Sequence, residues 1–209
     1  MFEKGLTVTL QGTPISPGLA QGIIHAHHGL LGPIDAPVDI QHNDVTEEFS
    51  RLDAATARIS EDLSALAMRV GKEIDTRLSG VFGAHRLMLN DTSLRDELRN
   101  EIVGNLVNAS SAVKTVFLRW ENRFLLMESQ IARDKGDDMR DISRRLRHAL
   151  AGITVHPLEE IPDGCVLATT RLLPSDTVFL AGRSVSAVLL EYGSTGSHAA
   201  LFGREMGLP

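Results

Sequence analysis

The stretch Gly193-Ser194-Thr195-Gly196-Ser197-His198-Ala199-Ala200-Leu201 sets a histidine at the mouth of a helix, directly after a small loop that carries two glycines. An apolar run, Val185 to Leu190, predicts a strand feeding the loop, and Ala199 to Met206 predicts a short helix stopped by Gly207 and Pro209. The first amides of such a helix lack internal partners and sit at its positive end, so an anion carried by His198 would be stabilised where it forms. Neutral imidazole attacks phosphorus through one ring nitrogen. Gly193 and Gly196 let a phosphate approach the backbone, and Ser197 is the expected helix cap. On spacing alone, a histidine in this place also reads as an ordinary surface residue at a helix start.

Two compositions alternate along the chain. Residues 6–40 and 152–209 are rich in β-branched residues, glycine and proline, whereas 43–150 are nearly free of proline and helical in period. The middle therefore reads as an all-α insertion within an α/β domain, which divides the chain into a discontinuous domain, 1–40 plus 152–209, and a helical domain, 43–150.

Within the insertion Val45, Phe49, Leu52, Ile59, Leu63, Leu66 and Val70 recur at helical steps, with Asp44 and Glu47 as the expected capping box. Ile74, Leu78, Phe82, His85 and Met88 or Leu89 predict a second helix, and Leu94, Leu98 and Ile102 a short third piece. Val113, Val116, Phe117, Trp120, Phe124, Met127 and Ile131 predict a helix opened by Ser110 or Ser111. A last one runs from Asp137 or Asp138 through Ile142, Leu146 and Leu150 to a stop at Gly152. Four principal helices with one apolar stripe each close a bundle. Outside it, Val8 to Leu10, Gly22 to His25, Val166 to Thr169 and Val185 to Leu190 predict strands, and Ser175 is the expected cap of a helix reaching Ala181.

The net charge of −6, with no basic stripe, argues against nucleic acid as a partner. No run of about twenty apolar residues exists and no secretory leader is evident, and the lone Cys165 fits a reducing cytoplasm. His25, His27 and His28 crowd together, but without a cysteine or acidic partner they read as solvated strand-end histidines, so no metal site is expected. The glycine loop is not a nucleotide-binding P-loop, since no Lys-Ser or Lys-Thr follows, and it lacks the Gly-x-Ser-x-Gly elbow of serine hydrolases.

The segment Ala187 to Pro209, ending Ser197-His198-Ala199-Ala200-Leu201-Phe202-Gly203-Arg204-Glu205-Met206-Gly207-Leu208-Pro209, resembles the phosphohistidine signature of the PEP-utilising enzymes. Among these it is most similar to PEP-protein phosphotransferases, the enzyme I family of the bacterial phosphotransferase system. Pro14 to Ile23, Phe82 to Asp91, Asp138 to Leu146 and Leu173 to Thr177 match in the same order, so the resemblance spans nearly the whole chain. One departure stands out: the family loop reads Gly-Gly-x-Thr-Ser-His or carries Asn for Thr, and here Ser194 replaces the second glycine and Gly196 the Thr or Asn.

The resemblance implies an α/β swivelling phosphohistidine domain with His198 as phosphate carrier, interrupted by a four-helix domain that docks the carrier protein HPr. It implies that Thr177 hydrogen-bonds the histidine ring. It assigns docking to Val81, His85, Leu87, Met88 and Lys135, each of which the spacing alone also allows in the bundle core. PEP and Mg²⁺ would bind a separate C-terminal barrel outside these residues, so no cofactor is expected in this chain, and the ending at Pro209 suggests a trimmed chain. Two other readings stay open: the mobile domain of another PEP-utilising enzyme, such as a pyruvate phosphate dikinase, and a non-catalytic module that binds a regulator.

Overall fold

The computed structural model describes residues 7–27, 38–156 and 158–209, and of 130–134 the backbone alone. A strand, β1 (Ile24–His27), is followed by five helices: α1 (Val45–Glu73), α2 (Thr76–Leu89), α3 (Thr92–Asn105), α4 (Ala109–Leu125) and α5 (Gln130–Leu150). The chain then forms β2 (Val166–Thr169), α6 (Pro174–Leu180), β3 (Ala187–Leu190) and α7 (His198–Glu205). The three strands make one parallel sheet in the order β1-β2-β3, with Ile24 opposite Val166 and Val166 opposite Ala187. A helical part thus lies between two strands of a small α/β part.

The apolar stripes place the helices. In α1, Leu52, Ala55, Ile59, Leu63 and Val70 are buried; α2 contributes Leu78, Val81, Phe82 and Leu89, α3 Leu94, Leu98 and Ile102, and α4 Ala109, Ala112, Val113, Val116 and Phe117. Asp75, Asp91 and Asn108 cap α2, α3 and α4 through their side chains. The buried Glu48 crosses the bundle to accept from the amide of Ala109 at 2.7 Å, tying α1 to the start of α4.

Several boundaries differ from expectation. Asp44 does not cap α1: its carboxylate turns back to the amide of Gln41 at 2.8 Å, closing a 3-10 turn over His42–Asp44. The third piece is a full helix of 14 residues, as long as α2. Asn108 rather than Ser110 or Ser111 opens α4, because its Oδ1 reaches the amide of Ser111. The expected run from Val113 to Ile131 breaks after Leu125, and α5 begins at Gln130, about two turns before Asp137. Leu126 and Met127 are exposed in the break, so apolar spacing continued where the backbone did not. Gly152, at φ +70°, does stop α5.

Val8 to Leu10 form no strand, and Val8 and Leu10 face solvent. The first strand starts two residues later than Gly22 and ends at His27; His28 lies outside the described residues. Pro174 rather than Ser175 opens α6, with the Asp176 carboxylate accepting from the amide of Leu173 at 2.9 Å.

Two apolar clusters result. Leu158, Ile161, Cys165, Leu167, Leu172, Leu180 and Ala199 pack about the sheet. Val178 of α6 and Phe202 of α7 instead join the interior of the bundle, where the rings of Phe82 and Phe202 lie 5.9 Å apart. Phe202 is fully buried, so Phe202→Ala removes a plug shared by both parts. Its expected cost is about 3–5 kcal/mol, read as a lower urea midpoint.

Candidate functional site

The loop that follows β3 delivers His198. It leaves the C-terminal end of a parallel strand, where open α/β sheets place their ligands. Ser197 shapes the end of the loop: its hydroxyl accepts from the amide of Ala200 at 3.2 Å and donates to the carbonyl of Ser194 at 3.0 Å, and Ser197 is the N-cap of α7. Arg204, one helical face further on, donates to the carbonyls of Thr195 at 2.9 Å and Ile15 at 3.3 Å, pinning the loop to the N-terminal segment. A Cβ on Gly193 would stand 3.4 Å from Leu190 and 3.7 Å from Ile15, which is ordinary contact. His198 therefore occupies the first position of the helix, beside amides that no turn of the helix satisfies.

The His198 ring does not stand alone. Its Nδ1 lies 2.8 Å from Oδ1 of Asp138 on α5, so the helical part holds the imidazole of the α/β part. Asp138 is almost completely buried, and its other oxygen takes Nζ of Lys135 at 3.0 Å. Nε2 of the buried His85 approaches the same Oδ1 at 3.1 Å, close enough for charge attraction but off the line of a hydrogen bond. Burial alone would raise the Asp138 carboxyl, but the hydrogen bond with His198, with the His85 ring close beside it, wins and holds it well below the usual carboxylate range. An ionised carboxylate only accepts. The proton on His198 is therefore on Nδ1, and Nε2 carries the free lone pair.

That arrangement has a chemical meaning. A nucleophilic nitrogen, oriented through its other ring nitrogen by a buried carboxylate, matches the general pattern of an activated nucleophile with an orienting third group. The side chain of His198 is 24% exposed, enough for an incoming group to reach it. Neighbouring charges are balanced: Asp137 faces Arg171 at 2.8 Å and Arg140 at 3.7 Å, and Arg140 also pairs with Glu121.

Not every expected site residue arrives here. Thr177 is fully buried and donates to the carbonyl of Leu173 at 3.1 Å, one turn back in its own helix. Its proton is spent locally, and the ring partner of His198 is Asp138 instead. Val81 and His85 lie on the inner face of α2 at 8% and 0% exposure, His85 edge-on to Phe82, so neither offers docking surface. Leu87 is 72% exposed, Met88 is half-buried, and Lys135 is half-buried and paired with Asp138. Asp138 was missed as a site residue although it opens one of the matched segments, because no local pattern shows that α5 carries it to the histidine loop.

A family model described as "PEP-utilising enzyme, N-terminal" matches residues 11–135, and one described as "PEP-utilising enzyme, mobile domain" matches residues 161–209. The chain belongs to the PEP-utilising enzymes. His198 lies in the span matched by the mobile-domain model, and Asp138 lies between the two spans. Curated relatives in the family include the phosphoenolpyruvate-protein phosphotransferases of Geobacillus stearothermophilus, 29% identical over 96% of this chain and 34% of that protein, and of Bacillus subtilis, 28% identical over 92% and 34%. The chain thus spans about a third of the length of these relatives.

The fold is shared with solved structures. An enzyme I solution structure superposes with a TM-score of 0.71 at 23% identity, covering 96% of this chain and 81% of the other. A structure titled "N-terminal domain of Enzyme 1 - Nitrogen" gives 0.64 at 23%, covering 94% and 79%. Among the described residues, no helix is long and apolar enough to cross a membrane.

Proposed function

We propose that this chain is the phosphohistidine-bearing part of a PEP-protein phosphotransferase, in which His198 Nε2 takes up a phosphoryl group and passes it to an HPr-like carrier protein. The contact between Asp138 and Nδ1 carries this reading, because it fixes the tautomer that leaves Nε2 nucleophilic. In the carrier-to-chain direction, the Nε2 lone pair forms the new N–P bond while the P–N bond of the phosphorylated carrier breaks and its electron pair returns to the carrier nitrogen. The PO₃ unit stays an anion throughout, stabilised by the amides that open α7. Such transfers rest on positioning and charge stabilisation.

The α/β part, residues 1–40 plus 152–209, is read as the swivelling unit, and the helical part, 43–150, as the docking unit. Leu87, with Met88 beside it, gives α2 an apolar outer surface of the kind a transient partner covers. On the family resemblance, PEP and Mg²⁺ are assigned to a separate C-terminal barrel of the longer relatives, of whose length this chain spans about a third.

The reading is tested with two donors. Incubated with a phosphorylated HPr-like carrier, the chain should gain acid-labile phosphate on His198; with PEP and Mg²⁺ alone it should gain none. His198→Ala should abolish uptake while binding of the unphosphorylated carrier, followed by NMR titration, persists. Labelling from PEP alone would overturn the division of labour between chain and barrel.

A further inference from the structure

A second polar site shares no residue with the one built on His198 and Asp138. Between α1, the end of α5 and the segment 153–156 lies a cavity of about 140 Å³, partly open to solvent. Ile59, Ile153 and Val155 supply apolar wall; the polar lining is Arg58, Asp62, Arg144, Arg145, His148 and His156, with Thr154 and Ser175. Three guanidinium groups and two imidazoles thus converge on one space.

The balance of charge in that space is positive once existing partners are subtracted. Arg144 is committed, forking onto Asp176 at 3.0 and 2.5 Å and reaching Ser175 at 2.9 Å. Asp141 is committed as well, accepting from the amide and hydroxyl of Ser175 at 3.0 and 2.5 Å. Arg145 is not: its buried Nε has no hydrogen-bond partner and stands 3.7 Å from Asp141, too far to be satisfied by it. Nε2 of His156 is likewise buried without a hydrogen bond, 3.5 Å from Asp176, while the ring stacks flat on Phe179 at 4.0 Å. The Arg58 side chain, exposed at the rim, makes no ion pair or hydrogen bond among the described residues. Among the described residues that line the cavity, Asp62 is the one carboxylate that opposes these groups, and its side chain has no hydrogen-bond or ion-pair partner among them.

We propose that this cavity binds a compact dianion, a phosphate or a small dicarboxylate, held by Arg58, Arg145 and His156. Buried donors without partners are uncommon in folded proteins, and here two belong to residues that line one cavity. Guanidinium groups suit planar or tetrahedral oxyanions, which take two hydrogen bonds from one fork. Burial, and then the cationic neighbours, push the imidazoles of His148 and His156 below the ordinary histidine range, His156 to about 4. A bound anion would oppose the effect of the cationic neighbours. The site is independent of the phosphotransfer reading, since none of its residues touches His198.

The test uses inorganic phosphate and malonate as probes, with sodium chloride at matched ionic strength as control. Either dianion should give saturable heat by isothermal titration and raise the melting temperature beyond the chloride control. Arg58→Ala, which removes no side-chain hydrogen bond or ion pair among the described residues, should weaken binding at least tenfold, and His156→Phe, which keeps the stack on Phe179, should do the same. Phosphate alone binding identifies a phosphorylated ligand class, and malonate alone a dicarboxylate; each supports the site. No saturable heat from either probe, or affinity unchanged in both variants, would overturn it and leave a water-filled structural cavity.

Discussion

Asp138→Asn is expected to lower the rate of phosphoryl transfer to His198 by about 10²- to 10³-fold, with the protein still folded. Asparagine is nearly the same size, so the loss comes from electronic structure. The carboxylate can only accept, and so it holds the proton on Nδ1 and keeps Nε2 free. A carboxamide offers either face: its oxygen preserves that tautomer, but its NH₂ donates to Nδ1 and moves the ring proton to Nε2, where it blocks attack. The substitution also removes the negative charge that offsets positive charge developing on the imidazole as the N–P bond forms. Asp138 is thus a positioning residue, and a readout beyond rate separates this role from a structural one. The ¹⁵N shifts of His198 should report a pyrrole-like Nδ1 and a pyridine-like Nε2 in the parent and a mixture in the variant. Transfer within threefold of the parent, with the tautomer unchanged, would refute the assignment.

How far the sequence alone reached depended on whether a feature was local. The histidine loop was readable because Ser197 and His198 sit side by side at a helix start and their roles need only neighbours within the loop and first turn. The stripes of α1 and α2 were readable because burial repeats with the helical period. The break after Leu125 was not, since Phe124, Met127 and Ile131 keep helical spacing across it, and spacing records which faces align, not whether the backbone hydrogen bonds continue. The carboxylate on His198 was also hidden. It comes from 60 residues away, across the boundary of two compositions, and only packing of α5 against the α/β part brings it there. His85 shows the converse: its place in a matched segment suggested surface, whereas the inward face of α2 buries it beside the same carboxylate. The resemblance named Thr177 as the partner of the His198 ring, and side-chain geometry puts Asp138 in that place instead.

Arg144→Ala should cost about 3–5 kcal/mol of stability at pH 7, the range expected when a buried ion pair loses one member. The guanidinium forks onto Asp176, which is 4% exposed, and lies 3.5 Å from Asp141, which is fully buried, so it neutralises two carboxylates at the seam where α5 meets α6. Burial pulls the Asp141 carboxyl upward, but Arg145 and Arg144 outweigh it and hold it below its ordinary value. With Arg144 gone that opposition weakens. Asp176 keeps the amide of Leu173, and Asp141 keeps Ser175 and the distant Arg145, yet burial, opposed by one cation fewer, now drives the Asp141 carboxyl above its unfolded value. The sign of the pH dependence follows. A group whose folded pKa is raised stabilises the fold below its unfolded pKa and loses that contribution as pH rises through the folded value. The gap between variant and parent should therefore narrow as pH is lowered from 7 towards 4, in urea unfolding at each pH. Removing the charge of Asp176 as well, in Arg144→Ala with Asp176→Asn, should recover part of the loss at pH 7, because one of the two stranded carboxylates is then neutral. A loss under about 1 kcal/mol, or a gap constant across that range, would mean that the seam is held by the apolar contacts of Val178 and Phe202 rather than by this ion pair.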